Sequence, residues 1–118
     1  MILNEVKEIL ERFDENVFYG AVDSRMAETL WNYIVFNRVK LSPSANKTGY
    51  TAEYALHIIR EDYIPEGLEE EVIEGLKTIK GLRIDGDGGS YDYTTKPSTN
   101  TVVEMFSINF YIPRKAVR

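Results

Sequence analysis

The chain has 118 residues, with 14 Lys and Arg against 19 Asp and Glu, so its formal net charge is −5, and it has one His and no Cys. Without cysteine it forms no disulfide, thiolate zinc site, iron–sulfur cluster or cysteine nucleophile, and a single His cannot supply a multi-His metal site within one chain. The acidic balance argues against specific or backbone-directed nucleic-acid binding, because such affinity comes from clustered Lys and Arg. We therefore expect no cofactor and no metal.

The first predicted element is an amphipathic helix at the start of the chain. Ile2, Val6, Ile9, Leu10 and Phe13 recur at the spacing of one helical face, and charged residues fill the other face. Because charges fall early in this segment and interrupt any apolar run, we expect neither a signal peptide nor a membrane span. The sequence therefore predicts a protein that stays in the cytoplasm.

Three strands are predicted after this helix. Residues 17–22 are a short run of β-forming side chains, and residues 23–29 form a polar connection with room for one helical turn. Residues 30–39 give the strongest strand signal, with apolar side chains on both faces, which is typical of an interior strand or of one whose second face a partner covers. Residues 42–49 predict a loop rich in Ser, Pro, Asn and Gly, and a second long strand follows at 50–60.

Pro65 is predicted to open a second helix, since the first turn of a helix does not need the N–H that proline lacks. Glutamates near the start of this helix and lysines near its end follow the order that the helix dipole favours. Gly81 is expected to end it in a left-handed conformation. The residues expected to face the core are Leu68, Val72, Leu76 and Ile79.

Three further strands are predicted in the C-terminal part of the chain. Residues 82–84 and 91–95 are expected to form a hairpin with the Asp- and Gly-rich segment 85–90 as its tight tip. The last strand is predicted at 102–112, and Pro113 is expected to end it, which leaves a basic tail at 113–118. Its alternation places Phe106, Ile108, Phe110 and Ile112 on one face and Met105, Ser107, Asn109 and Tyr111 on the other.

Together these elements predict a single α+β domain over residues 1–118. The expected architecture is a mostly antiparallel sheet of about five to six strands with two helices packed on one face. A chain of this length buries enough surface for one core without a metal or a disulfide.

His57 is the one residue that the sequence offers as a general base. It lies in mid-strand among apolar side chains, whereas a catalytic His needs an orienting acid and a cleft. Glu53 and Glu104 are the acids that could face it across strands, but a structural His explains the position with fewer requirements. Segment 85–90 lacks the Gly and Glu that an EF-hand loop needs at its sixth and twelfth positions. We expect no catalytic residue, and a protein that is not an enzyme.

Three features of the sequence point instead to contact surfaces. Seven acids and no base fall between Glu61 and Glu74, and three of the 14 bases fall in the last five residues, so oppositely charged patches are available to pair between subunits. Eight Tyr exceed what a small core needs, and Tyr is enriched at interfaces. The tip predicted at 85–90 is a third candidate for docking. The residues expected at an interface are Tyr19, Glu66, Glu69, Glu70, Asp85, Asp87, Tyr91, Tyr93, Arg114 and Lys115.

Five segments together resemble small proteins of long-tailed bacteriophages and of prophages in Gram-positive bacteria. They are VFYG at 17–20, WNYIVFNR at 31–38, EDYIP at 61–65, GLR at 81–83 and YDYT at 91–94. The size and the order of helices and strands are similar to the tail terminator and tail-to-head joining family. That resemblance spans residues 1–115 and assigns no functional residue individually.

The resemblance implies a structural subunit that forms a ring, typically a hexamer. Such a ring caps the tail tube and presents a surface to the head connector or completion protein. The protein would then assemble in the host cytoplasm and belong to the tail or neck of the virion. Two alternatives stay open: another minor capsid or tail-assembly component and, from a different class, a small hydrolase or nuclease that uses carboxylates such as Glu61 together with His57.

Overall fold

The computed structural model describes residues 2–22, 30–44 and 49–115, and this part of the chain contains two helices and six strands. Their bounds are α1 Ile2–Leu10, β1 Val17–Tyr19, β2 Tyr33–Pro43, β3 Gly49–Glu61, α2 Leu68–Leu76, β4 Arg83–Ile84, β5 Ser90–Thr95 and β6 Val102–Lys115. The predicted order of one helix, three strands, one helix and three strands is confirmed, and so is the α+β class.

All six strands belong to one sheet, in the order β1-β2-β3-β6-β4, and β5 pairs with β6 on the same side as β4. β1 runs parallel to β2, whereas every other pairing is antiparallel. The register places Phe36 opposite Leu56 and Leu56 opposite Ile108. Because side chains alternate along each strand, Phe36, Leu56 and Ile108 share one face of the sheet with the rest of the core cluster.

Both helices pack on that face and close the core, as predicted. The side chains that they bury there are Val6, Ile9, Leu10, Val72 and Leu76. The two helices approach closely at Gly75, where an added Cβ would lie 3.1 Å from Ile9 Cγ2 and 3.2 Å from the Phe13 ring. The predicted apolar row of the last strand, Phe106, Ile108, Phe110 and Ile112, is buried in the same core. The opposite face of the sheet carries no helix among the described residues, and we call it the helix-free face.

The second helix begins later than predicted. α2 starts at Leu68 rather than at Pro65, whose carbonyl accepts a hydrogen bond from the Leu68 N–H at 3.1 Å in a preceding turn. Gly67 separates the two with a φ of 96°, a left-handed conformation that cannot continue into the helix from Pro65. Gly81 is left-handed as expected, with a φ of 84°, but it follows a further turn at 77–80 rather than the last helical residue.

The hairpin predicted at 82–95 is wrong. β4 and β5 do not pair with each other, because both pair with β6 as two parts of one interrupted edge strand. Segment 85–89 is therefore a long bulge between them, and the Asp85 N–H still donates to the Asn109 carbonyl at 2.9 Å. The true hairpin turn lies at 96–101, between β5 and β6. Asp- and Gly-rich sequence suits a bulge as well as a hairpin tip, so composition did not separate the two.

The last strand continues past its predicted end. β6 passes through Pro113, which lies opposite Thr51 of β3, and reaches Lys115. β4 pairs with β6 only as far as Tyr111, so β6 has no second neighbour at Pro113 within the described residues. Proline is tolerated at such an edge because its missing N–H need not remove a ladder hydrogen bond.

The remaining differences concern strand limits. β1 is shorter than the predicted run 17–22, and β2 extends into the loop predicted at 42–49. The polar connection expected at 23–29 and the loop residues 45–48 lie outside the described residues.

Candidate assembly surface

The sheet ends in two edges that meet no further strand within the described residues. On one side, β5 pairs only with β6, and all six of its residues are exposed. On the other side, β1 covers β2 only from Ile34 to Phe36, so β2 has no neighbour from Arg38 to Pro43 on this side among the described residues. An open edge offers unpaired N–H and C=O groups to another chain. We call residues 90–95 the β5 edge and residues 38–43 the β2 edge.

Two tyrosines hold the β5 edge against the helix-bearing side of the sheet. The Tyr91 hydroxyl donates a hydrogen bond to Glu69 of α2, and its ring lies 5.1 Å from the ring of Phe106. The Tyr93 hydroxyl donates to Glu104 Oε2 at 2.8 Å. Tyr91 is nevertheless 46% exposed and Tyr93 64% exposed. The β5 edge is therefore anchored and still open to a partner.

Glu69 was expected on a contact surface, but the structure buries it. Only 9% of it is exposed, because the first turn of α2 directs it beneath the β5 edge. One carboxylate oxygen accepts the Tyr91 hydrogen bond, and Oε1 has no hydrogen-bond partner among the described residues. This hydrogen bond, with burial and the charges of Glu69, Glu104 and Glu70, raises the pKa of Tyr91 to about 12. Each of these effects favours the neutral hydroxyl over the tyrosinate.

The β2 edge is basic and apolar. A β-bulge between Arg38 and Lys40 inserts Val39, and both Val39 and Leu41 are 51% exposed. A groove of about 310 Å³ lies along this edge. It is lined by Arg38, Val39, Lys40, Leu41, Ala52, Glu53 and Arg114. Of these residues only Arg114 is a predicted interface residue. The sequence predicts residues 30–39 as an interior strand or as one whose second face a partner covers, and the exposure of residues 38–41 on an open edge depends on how short β1 is.

The structure places five of the ten predicted interface residues at or beside the β5 edge. Glu69, Tyr91 and Tyr93 form the contacts described above. Asp85 and Asp87 lie in the adjoining bulge, where the Asp87 N–H donates to Asp85 Oδ1 at 3.2 Å. Asp85 is half-buried and Asp87 is exposed. With Asp92 of β5, they give this side of the sheet an acidic character.

The other five predicted residues do not form one surface. Tyr19 lies at the end of β1 and is 45% exposed. Glu66 and Glu70 are exposed around the start of α2. Arg114 lines the groove at the β2 edge, and Lys115 ends β6 beside it. The basic end of the last strand therefore lies close to the β2 edge and away from the acidic β5 edge.

His57 lies on the helix-free face, where its Nδ1 shares a hydrogen bond of 2.7 Å with Ser107 Oγ. Burial lowers the pKa of His57. Of the two acids that the sequence offered as partners, Glu53 Oε2 accepts from Asn109 Nδ2 at 2.7 Å, and Glu104 makes its hydrogen bonds on the opposite face. Among the described residues, no group of three His, Cys, Asp or Glu side chains is placed to hold a metal ion.

A second groove, of about 480 Å³, crosses the helix-free face between the β2–β3 hairpin and the bulge at 85–89. Glu53, Arg83 and Tyr111 line it. The pKa of Tyr111 is raised by burial and by the nearby carboxylates of Glu53, Asp85 and Asp87, while Arg83 acts in the opposite direction. Three carboxylates and one guanidinium therefore act on the tyrosine hydroxyl.

Comparison with known proteins finds no family model that matches the chain and no significantly similar curated protein. Neither helix of the described residues has the length and apolar character needed to cross a membrane.

Proposed function

We propose that this protein is a structural subunit of a bacteriophage or prophage virion, which joins copies of itself into a ring of the tail terminator or head–tail joining type. One observation carries the proposal: in the part of the chain that the structure describes, a single sheet presents two open edges on opposite sides, the β5 edge and the β2 edge. A subunit with two different adhesive edges joins its neighbours head to tail, and such contacts build a ring when the rotation closes.

The charges on the two sides support association between copies. The β5 side carries Asp85, Asp87 and Asp92, whereas the β2 edge carries Arg38 and Lys40. Complementary potentials of this kind steer the correct partners together and disfavour contacts between like edges. The virion setting itself comes from the resemblance of the five segments at 17–20, 31–38, 61–65, 81–83 and 91–94.

In this proposal the ring has two kinds of partner besides itself. One side of the ring would meet the end of the tail tube, and the other would meet the head connector or completion protein. The ring would form in the host cytoplasm and remain in the tail or neck of the virion. Another minor capsid or tail-assembly component would use the same edges with different neighbours.

The test is the mass of the purified protein in solution, with and without purified tail tubes, followed by electron microscopy of the products. We expect rings, alone or as caps on the ends of tubes. A chain that stays monomeric at all concentrations and never engages tubes or connectors would refute the proposal. Engagement with capsids but not with tube ends would favour a minor capsid component.

The hydrogen bond between His57 and Ser107 is the one observation that favours the hydrolase alternative. His57→Ala and Glu61→Gln test it, since both residues belong to β3 and neither lies in the β5 edge or the β2 edge. Both variants should assemble like the wild type. An esterase or nuclease activity of the wild type that either variant loses would support the alternative and contradict a purely structural role.

A further inference from the structure

We infer that the β5 edge of one copy pairs as an antiparallel strand with the β2 edge of the next copy, in a register that sets Asp92 opposite Lys40. The inference rests on the proposed self-association and names the surfaces that carry it. It has three supports: the strand directions, the faces on which the side chains lie, and the charges.

The strand directions fit a head-to-tail contact. β2 is antiparallel to β3, β3 to β6, and β6 to β5, so β5 runs opposite to β2 within one copy. Copies related by rotation keep this relation, and the β5 edge of one copy meets the β2 edge of the next as an antiparallel pair. Antiparallel pairing needs no crossover and closes a hydrogen-bond ladder between the two edges. A contact between two different edges is heterologous, which is the type that builds rings.

The faces of the side chains select the register. Asp92 lies opposite Met105, and Lys40 lies opposite Glu53, so both project from the helix-free face. Tyr91 and Leu41 project from the helix-bearing face and are 46% and 51% exposed. Pairing Asp92 with Lys40 therefore pairs Tyr91 with Leu41. Any shift of β5 along β2 separates both pairs at once.

The groove at the β2 edge is complementary to the side chains that the β5 edge of the next copy would place in it. It combines the exposed Val39 and Leu41 with the cations of Arg38, Lys40 and Arg114. The β5 edge brings tyrosine rings that bury apolar area and the Asp92 carboxylate, which lies on the same face as the Lys40 cation. Two β5 edges paired with each other with Asp92 opposite Asp92 would set two like charges against each other, which is unfavourable.

The same register predicts the offset between neighbouring copies. Asp92 is level with Tyr33 of its own sheet, through Met105 and Ile59. Lys40 lies about six ladder steps further along β2, or about 20 Å at the usual rise per residue. Four strands per copy span about 19 Å across the sheet, so the strands would tilt by about 45° from the ring axis, near the 35–45° tilt of closed barrels.

Disulfide trapping tests this register directly, because the chain has no cysteine of its own. In the predicted register Ser42 lies opposite Ser90 of the next copy. The two positions cannot link within one copy, since β3 and β6 separate their strands by about 14 Å and a disulfide needs Cα atoms within about 7 Å. The double variant Ser42→Cys, Ser90→Cys should therefore give covalent dimers and higher multiples on mild oxidation. The matched control Ser42→Cys, Asn4→Cys, with the second thiol on the exposed face of α1, should give at least tenfold less of them.

Charge reversal provides an independent test. Lys40→Asp or Asp92→Lys alone should raise the concentration needed for assembly by about tenfold, because one attractive cross-strand pair becomes a repulsive one. The double variant Lys40→Asp, Asp92→Lys should regain wild-type assembly, and Lys80→Asp, an equal charge change after α2, should have no effect. Thermal melting of each variant shows whether it remains folded.

The outcomes separate this inference from the proposed function. Rings with trapped Ser42–Ser90 pairs support both. Rings that form without trapping, and that charge reversal leaves unchanged, overturn the edge pairing and leave the proposed function standing. A folded wild type that never associates, with or without tail tubes, overturns both.

Discussion

Replacing Tyr91 by Phe should destabilise the fold through the buried carboxylate of Glu69. The substitution removes the hydroxyl that donates to Glu69 and leaves the ring in contact with Phe106. A hydrogen bond to a charged group is worth about 1.5–3 kcal/mol, and a buried acceptor without a partner costs about 1–3 kcal/mol. Because Tyr91 is 46% exposed and water can reach this pair, we expect a loss of only about 1–2 kcal/mol. For a domain of this length that lowers Tm by about 4–8 °C.

The assay is thermal unfolding at pH 7 followed by circular dichroism. Tyr93→Phe is the matched control, because it removes the same hydroxyl from a side chain that is 64% exposed and should change Tm less. If Tyr91→Phe has the same Tm as the wild type, the hydrogen bond to Glu69 contributes nothing to stability and our account of how β5 is anchored is wrong. If the Tm of both variants falls by the same amount, the burial of Glu69 is not the cause of the destabilisation.

The same pair predicts a dependence on alkaline pH. The pKa of Tyr91 is raised in the fold from its ordinary 10.0 to about 12, so the folded state favours the neutral hydroxyl. Its contribution to stability is complete below pH 10 and is lost as the pH rises from about 10 to about 12. The stabilities of the wild type and Tyr91→Phe should converge over that interval. A difference that stays constant would contradict the raised pKa.

Two further predictions concern the sheet itself. Gly89→Ala should destabilise the protein by about 1–3 kcal/mol, because the new Cβ would lie 2.3 Å from the Phe106 ring. Gly86→Ala is the control in urea unfolding, because no atom lies within 4 Å of its Cβ. Equal effects of the two substitutions on stability would contradict the close approach of Gly89 to Phe106. Burial lowers the pKa of His57 below its ordinary 6.5, so its contribution is complete above pH 6.5 and stability should fall as the pH drops from there through the folded pKa. Between pH 7.5 and pH 5.5 the urea midpoint of His57→Gln should fall less than that of the wild type. An equal fall in the two proteins would exclude His57 as the cause.

The sequence predicted the parts of this fold that local periodicity determines. The apolar rows of α1 and β6 each follow a single period, so their burial on one side of the sheet was predictable. The bulge at 85–89 was not, because the partner of β4 and β5 is β6, and turn-forming residues serve a bulge and a hairpin equally. The continuation of β6 through Pro113 was missed for a related reason, since proline ends a central strand but not an edge.

The candidate surface was only half predictable. The tyrosines and acids beside the β5 edge stood out by composition, although the burial of Glu69 depends on the packing of α2 beneath β5. The β2 edge was missed because its exposure depends on the shortness of β1, which pairs with β2 only from Ile34 to Phe36. An edge is a property of the whole sheet, and no segment of the sequence carries it alone.

The most direct test of the account is to mix two single variants, Lys40→Asp and Asp92→Lys, and to measure the mass of the mixture in solution. Copies of either variant alone associate less readily with each other, since each contact between a β5 edge and a β2 edge sets two like charges opposite each other. In the mixture every contact between unlike copies restores an opposite pair. We therefore predict that each variant alone stays dissociated at concentrations where the wild type assembles, and that the mixture forms rings of alternating copies. A mixture that stays dissociated at those concentrations, or a Lys40→Asp variant that assembles as readily as the wild type, would contradict the account.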